Sequence, residues 1–225
     1  MPKITQYHPE SNLLTHYANG QLSKGLALAV ETHLARCDAC SKLVALRGER
    51  ATHREAQNPQ QAESQHSPRS PAEGLAAEFK TVELFGKAVS VPPQLASFVE
   101  QGLKWRQVTK GVHSALIDSE GESRCAIVHV EPGAVVPRHT QQRTETMQML
   151  EGNICDDWDC YGLADFVMRG PHQEHALMAH EGCFCLVVTD GPLYFTIGLD
   201  RLKNPLIAFR YLRLRLKNFF HKKNS

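Results

Sequence analysis

The stretch HPESNLLTHYANGQLSKGLALAVETHLARCDACSKLV, residues 8–44, decides the fold of the first part of this chain. Its apolar residues recur at the spacing of an α-helix. They predict one helix over residues 13–18 that ends at Gly20, and a second after Ser23, which is a suitable N-cap. A third helix is predicted to begin near Asp38. Because such short helices bury little apolar surface, a unit of this size usually needs a metal ion to stabilise it.

Metal-binding residue types cluster on the second and third predicted helices. His33 and Cys37 are one helical turn apart, so their side chains project from the same face. Cys40 follows after two residues, which is the usual spacing in zinc sites. Thiolate and imidazole ligands together favour zinc over magnesium or calcium. A structural zinc ion normally has four ligands, and His8 and His16 are the candidates for the fourth.

The two cysteines have a second interpretation, as a buried thiol pair or a redox CxxC motif. A redox motif of this kind normally belongs to a thioredoxin-like unit, and the sequence contains no pattern of that unit. Zinc binding by Cys37 and Cys40 is therefore the preferred interpretation. For His16 a solvent-facing position on the first helix is preferred.

The composition of the chain changes sharply after residue 51. Residues 52–74 are rich in Gln, Ser, Pro, Glu and Ala and predict a flexible linker, because they offer too little apolar surface to offset the entropy of ordering. In residues 75–200 the apolar period becomes two and turn residues recur about every 8 to 12 positions, which predicts a sandwich or small barrel of short strands. Residues 201–225 form a basic tail without acidic residues. We expect a solvated appendage there, with an acidic partner or a membrane surface as the alternative.

Charge and cysteine usage restrict the class of protein. A formal net charge of +1 gives no basic field that would attract nucleic acid. No apolar run is long enough to span a membrane, and the start of the chain lacks the apolar core of a secretory signal, so we expect a cytoplasmic protein. Seven cysteines in a reducing compartment are a poor disulfide framework. We therefore expect Cys155, Cys160, Cys183 and Cys185 to behave mainly as small apolar residues, with Cys183 and Cys185 on one face of a strand. A redox-sensing role for these four is the alternative.

The sequence resembles the zinc-binding anti-sigma factors, in particular the ChrR type, which carries a cupin domain at its C-terminal end. The resemblance rests on His8, on the run His33-x3-Cys37-x2-Cys40 and on the helices around them. It implies two domains, a small all-α zinc-binding helical domain (residues 1–51) followed by an all-β cupin barrel, the double-stranded β-helix (residues 75–200). It also implies that His8 is the fourth zinc ligand and that the helices bind an extracytoplasmic-function sigma factor.

The second half of the chain independently resembles the first cupin motif. The run Gly133-x5-His139-x-Gln141-x3-Glu145-x6-Gly152 fits the motif at every spacing, but Gln141 stands where a second histidine is usual. Because glutamine offers only a neutral amide oxygen as a ligand, we expect weakened or altered metal binding at this position.

A later segment resembles the second cupin motif and supplies His175. A barrel could bring His139, Glu145 and His175 together in its interior, and two histidines with a carboxylate are a known ligand set for divalent iron, manganese or zinc. His172 could compensate for the histidine that Gln141 replaces. The alternative is a metal-free cupin in which these side chains hydrogen-bond to one another.

These residues are compatible with three functions. The preferred one is an anti-sigma factor, a binding protein without catalytic residues, whose cupin domain senses a stress signal, expected to be oxidative, and releases the sigma factor. The main alternative is a cupin dioxygenase or isomerase that uses His139, Glu145 and His175 on a metal with open coordination positions. A DNA-binding zinc protein is disfavoured because residues 1–50 have no basic recognition stripe.

Overall fold

Three helices open the chain in the computed structural model, at the positions that the apolar spacing predicts. Gly20 follows the first helix with a φ of 67°, a conformation that favours glycine. Ser23 precedes the second helix in an extended conformation, although its side chain makes no capping hydrogen bond. The helices are α1 (Ser11–Ala18), α2 (Lys24–Leu34) and α3 (Asp38–Gln57), and the structure describes residues 5–57, 78–209 and 211–213.

Short strands make up most of the rest of the described chain, with one helix, α4 (Pro93–Glu100), inserted after the second strand. The chain then continues through a 3-10 helix, Leu199–Lys203, into helical residues 204–209 and 211–213. The strands are β1 (Lys80–Leu84), β2 (Lys87–Val91), β3 (Trp105–Thr109), β4 (Val112–Glu120), β5 (Ser123–Val130), β6 (Val135–Gln141), β7 (Glu145–Gly152), β8 (Ile154–Cys155), β9 (Cys160–Tyr161), β10 (Phe166–Arg169), β11 (His175–Met178), β12 (Cys183–Asp190) and β13 (Leu193–Phe195).

The strands form a barrel of two facing antiparallel sheets. One sheet has the order β10-β7-β12-β5-β4-β3 and the other has the order β13-β6-β11-β8-β9, while β1 and β2 form a separate hairpin. This is the predicted all-β architecture. The sequence did not predict β6 because Pro137, His139 and Gln141 interrupt its apolar alternation, and the last two are buried polar residues that face the interior.

Alternate residues of the six-stranded sheet face two different apolar cores. On β12, Cys183 and Cys185 belong to the core inside the barrel. Their neighbours Phe184 and Leu186 belong to the core on the outer face of the sheet. The prediction that Cys183 and Cys185 share one face is therefore confirmed, since side chains alternate along a strand.

Helix α2 packs on the outer face of the six-stranded sheet, while α1 and α3 pack against each other and against α2. Ala29 and Val30 of α2 are fully buried in the outer core, together with Leu186 of β12 and Leu95 of α4. The helical unit therefore does not depend on its own thin core, because the barrel supplies the second layer.

The predicted flexible linker overlaps the end of α3. The helix continues to Gln57, so residues 52–57 are helical and that part of the prediction is wrong. The helix propensity of Arg54, Glu55 and Ala56 outweighs the polar composition that suggested a linker. Residues 58–74 of the predicted linker lie outside the described residues.

Two further expectations are corrected. Cys155 and Cys160 form a disulfide between the paired strands β8 and β9, because the hairpin places the two residues directly opposite each other. The basic tail is anchored where it is described: the side-chain amide of Asn204 makes two hydrogen bonds to the backbone of Phe195, and Tyr211 lines the barrel cavity. None of the helices within the described ranges is long and apolar enough to cross a membrane.

Gly25 allows α2 to approach the sheet closely. A Cβ atom at this position would lie 2.7 Å from Cβ of Cys125 on β5, well inside van der Waals contact. The glycine is therefore required by packing and not by backbone conformation.

We expect Gly25→Ala to lower the free energy of unfolding by about 1–3 kcal/mol, because the added methyl group overpacks the interface between α2 and β5. Helix propensity alone would give the opposite sign, about 1 kcal/mol of stabilisation. Urea denaturation of the full chain measures the change. Gly170→Ala is the matched control, since its Cβ would meet no atom closer than 3.8 Å. A higher urea midpoint for Gly25→Ala would contradict the close packing.

Candidate metal sites

The four residues proposed as zinc ligands converge at one point beside the barrel. His8 comes from the extended segment before α1, His33 from α2, Cys37 from the turn after it and Cys40 from α3. One ligand atom from each residue lies within 4.8 Å of the others. Nδ1 of His8 is 3.4 Å from Sγ of Cys37 and 3.5 Å from Sγ of Cys40. Ideal tetrahedral zinc coordination places nitrogen and sulfur ligands about 3.6 Å apart, so the spacing fits the ion.

The imidazole of His33 is oriented for metal binding by a backbone carbonyl. Its Nδ1 donates a hydrogen bond to the carbonyl oxygen of Ala164 at 2.9 Å, while the buried Nε2 has no hydrogen-bond partner among the described residues. Burial lowers the pKa of His33 to about 4, so the ring is neutral at pH 7. A neutral imidazole with one nitrogen held by a carbonyl and a free lone pair on the other is the usual state of a zinc ligand.

Burial sets the protonation state of the Cys40 thiol in this site. Burial raises the pKa of Cys40 to about 12, and the neighbouring sulfur of Cys37 makes a smaller contribution in the same direction. Without a metal the Cys40 thiol therefore stays protonated in a buried position. A divalent ion would bind the thiolates and displace the proton, as zinc does in Cys/His sites.

The loop before β10 holds this site against the barrel. The carboxylate of Asp165 accepts hydrogen bonds from the backbone N–H groups of Gln6 and Tyr7 at 2.7 and 3.1 Å. The N–H of Phe166 donates in turn to the carbonyl of Tyr7 at 3.0 Å. Segment 6–8 is therefore bound to the barrel both through backbone N–H groups and through a backbone carbonyl. Sequence reasoning missed Asp165, and its position five residues after Cys160 gave no signal of this contact.

A second cluster lies inside the barrel and contains His139 on β6, Glu145 on β7 and His175 on β11. Oε2 of Glu145 is 3.4 Å from Nε2 of His139 and 3.3 Å from Nε2 of His175. Each histidine turns its Nδ1 to a backbone carbonyl, that of Pro137 at 2.8 Å or that of Gln173 at 3.4 Å. The three predicted side chains are thus brought together with their ligand atoms facing one another.

The electrostatics of this cluster keep Glu145 ionised. Burial would raise its pKa, but the hydrogen bonds and charges of His139 and His175 outweigh burial and lower it. Burial likewise opposes protonation of His139, but Glu145 raises its pKa overall. A carboxylate facing two imidazoles can hold a proton on the histidines or a divalent metal ion in their place.

Gln141 lies two residues after His139 on the same face of β6 and is 1% exposed. Its Nε2 donates to the carbonyl of Gly170 at 2.7 Å, whereas its buried Oε1 has no hydrogen-bond partner among the described residues. An unpaired buried acceptor fits a bound cation or water. His172 is exposed and lies outside the cluster, so the expectation that it compensates for Gln141 is not supported.

The cluster opens into an apolar cavity of about 290 Å³ in the barrel. Valine, isoleucine, leucine and methionine make up half of its lining residues, and Ile207 and Tyr211 of the C-terminal helical residues contribute to its wall. Such a cavity excludes bulk water from the three potential ligands and strengthens the electrostatic interactions among them.

Comparison with known proteins identifies both halves of the chain. The family described as a putative zinc-finger matches residues 11–41, and the family described as the ChrR cupin-like domain matches residues 96–193. Anti-sigma-E factor ChrR of Cereibacter sphaeroides is 31% identical over 207 residues, which cover 89% of this chain and 97% of that protein. The chain belongs to the ChrR family of anti-sigma factors.

A solved structure agrees with this assignment to the ChrR family. The crystal structure of Rhodobacter sphaeroides SigE in complex with the anti-sigma factor ChrR matches this chain with a TM-score of 0.63 and 27% identity. The match covers 83% of this chain and 100% of that chain. The resemblance inferred from the residues is therefore confirmed, both for the helical zinc-finger unit and for the cupin barrel that follows it.

We expect Cys37→Ser and Cys40→Ser in this ChrR family member each to lose one equivalent of zinc, because a hydroxyl group does not replace a thiolate ligand. Zinc per chain is measured by atomic emission after purification without added metal. His16→Gln is the control: its ring is exposed and contacts Oε1 of Gln21, as predicted for a solvent-facing residue. Full zinc content in the cysteine variants would contradict the proposed ligand set.

The barrel cluster allows a separate prediction. Gln141→His should add an imidazole to the two histidines and the glutamate, and so raise the divalent-metal content of the cupin barrel of this chain. Gln141→Ala should lower that content. Metal titration monitored by calorimetry measures both. His172→Gln should leave the affinity for the divalent metal unchanged. If it changed the metal affinity as much as Gln141→His does, the placement of Gln141 and not His172 near the metal ligands would be contradicted.

Proposed function

We propose that this protein binds an extracytoplasmic-function sigma factor through its N-terminal helices and releases it when the cupin domain senses a stress signal. The observation that carries the proposal is the match over the whole length of a ChrR chain solved in complex with SigE. The family relationship supports a regulator that works by binding and not by catalysis. A cytoplasmic location follows from this partner, because sigma factors act on RNA polymerase.

The zinc ion has a structural role in this proposal. His8, His33, Cys37 and Cys40 supply four protein ligands, so no coordination position remains for a substrate. The ion would connect the segment before α1 to α2 and α3 and fix the angle between the helices. Its loss would disturb any surface that the three helices form together.

The exposed face of α3 offers a surface for the sigma factor. Leu43 and Leu46 are three residues apart, on one side of the helix, and are 37% and 58% exposed. The buried Val44 and the proposed zinc ligand Cys40 lie roughly a third of a turn further round the helix. An apolar pair on a helix held by zinc is suited to bind a hydrophobic groove of a partner.

Strand β7 provides a physical route from the cupin cluster to the zinc site. Glu145 and Met147 face the barrel interior. Farther along the strand, the N–H of Met149 donates to the carbonyl of Asp165 at 2.9 Å and the carbonyl of Met149 accepts from the N–H of Ala164 at 3.1 Å. A change in the metal or protonation state of the Glu145 cluster would shift β7 and its neighbour β10. Such a shift would also move Ala164 and Asp165, which hold His33 and segment 6–8.

Co-expression with the cognate sigma factor tests the proposal in the full chain. We expect a one-to-one complex, and we expect Leu46→Asp to weaken it by at least about tenfold, because burying an unpaired carboxylate costs more than 1.4 kcal/mol. Leu199→Asp is the matched control, since Leu199 is 83% exposed on the 3-10 helix that follows the barrel.

The outcomes separate the two functional classes. Failure of the full chain to bind any sigma factor, together with oxygen-dependent turnover abolished by His139→Ala, would favour the cupin dioxygenase alternative. A stable complex that persists in His139→Ala before stress, but no longer releases the sigma factor after stress, would support a sensing role for the barrel.

A further inference from the structure

The hairpin β8–β9 is a small element that lies between the two candidate metal sites. Each strand has two residues, and the loop Asp156–Asp159 joins them. Two-residue strands give a hairpin little stability of their own. The disulfide between Cys155 and Cys160 closes the base of this loop. It is therefore the covalent constraint that holds the loop in one conformation.

One side of the hairpin holds Tyr7, the residue before the zinc ligand His8. The hydroxyl of Tyr7 donates a hydrogen bond to the carboxylate of Asp159 in the loop. The ring of Tyr7 packs edge-to-face on the ring of Tyr161 on β9, with centroids 4.9 Å apart. Both contacts depend on the conformation of residues next to Cys160.

The loop also reaches the cupin cluster. Trp158 lies with its ring centroid 6.2 Å from that of His175. Asp156 accepts hydrogen bonds from the guanidinium of Arg169 at 2.5 and 3.2 Å. The guanidinium also lies over the ring of Trp158 at 4.7 Å. The loop thus contacts the zinc-bearing segment through Asp159 and the wall of the barrel cavity through Asp156 and Trp158.

Accessibility distinguishes this cysteine pair from the other cysteines of the described chain. Cys160 is exposed and Cys155 is half-buried. Cys37, Cys40, Cys125, Cys183 and Cys185 are buried. A disulfide whose sulfur can be reached from solvent exchanges with thiols more readily than a buried one.

We propose that Cys155 and Cys160 are a reversible redox site whose disulfide keeps Tyr7, and through it His8, in place for zinc binding. In the dithiol state the hairpin would loosen, the contacts of Asp159 and Tyr161 with Tyr7 would weaken, and His8 would leave the zinc ion more often. This inference rests on the zinc site of the proposed function and not on sigma-factor binding itself.

The chemistry of the switch balances in both directions. A dithiol reductant breaks the S–S bond: its two sulfurs lose two electrons and form a new disulfide, while its two protons pass to the sulfurs of Cys155 and Cys160. A hydroperoxide reverses the step. The two thiols lose two electrons and two protons, the O–O bond breaks, and an alcohol and water leave.

Zinc loss from the full-length protein tests the proposal. The protein is purified with the disulfide formed, which mass spectrometry of the peptide that contains both cysteines verifies, and half is reduced with a water-soluble phosphine. Both samples are dialysed against EDTA. We expect the reduced protein to lose zinc about tenfold faster. This is the lower end of the effects observed when the hydrogen-bonding partners of a metal ligand are removed. Cys155→Ala/Cys160→Ala should lose zinc at the fast rate in both conditions.

Two variants control the experiment. Tyr7→Ala removes the contacts between the hairpin and the segment of His8, so its zinc loss should become independent of the redox state. Cys125→Ala removes a thiol that lies under α2 beside Gly25, and it should keep the full difference. If the Cys155→Ala/Cys160→Ala variant fails to fold, the comparison of oxidised and reduced wild-type protein still tests the proposal.

Equal rates of zinc loss in the oxidised and reduced protein would overturn the proposal. A redox difference that survives Tyr7→Ala would also overturn it, since the hairpin would then act by another route. Sigma-factor copurification from the same preparations tests the proposed function separately. Absence of a complex in both redox states would contradict that function and would not alter the zinc comparison.

Discussion

The contact between the helical unit and the loop before β10 is the constraint on which the rest of the structure depends. Ala164 presents its carbonyl to His33, and Asp165 binds two backbone N–H groups of the segment that carries His8. Two of the proposed zinc ligands, from distant parts of the helical unit, are thus oriented by adjacent residues of the barrel. The two units therefore meet at this loop.

Burial makes that constraint strong. His33 is fully buried, and α2 covers the outer face of the six-stranded sheet with Ala29 and Val30. Undocking α2 would expose apolar surface on both the helix and the sheet, at about 25 cal/mol for each Å². The docked arrangement therefore does not depend on the metal alone. The zinc ion would instead select one arrangement of the helices from those that the apolar contact allows.

The buried polar residues inside the barrel form a second set of interactions that differs from the helix–barrel contact. Glu145, His139 and His175 pair with one another, but burying them costs desolvation free energy because each is removed from water. Gln141, two residues after His139 on β6, leaves a buried amide oxygen unpaired among the described residues. An apolar set of side chains would pack this cavity at a lower free-energy cost, which is consistent with the sensing role proposed for the barrel. Its connection to the zinc site through β7 and the loop before β10 gives that role a physical path.

The sequence by itself determined the helices, the barrel class and the ligand types. Apolar spacing located α1 and α2, and the spacing of His33, Cys37 and Cys40 predicted a metal site, because both depend on local geometry that a few neighbouring residues fix. Residues that serve distant contacts gave no such signal. β6 was missed because its buried polar residues face the cavity, and Asp165 was missed because its partners, Gln6 and Tyr7, lie far away along the chain. Only the tertiary structure placed the helices on the sheet and paired Cys155 with Cys160, since these pairings depend on how the chain folds back on itself and not on any local pattern.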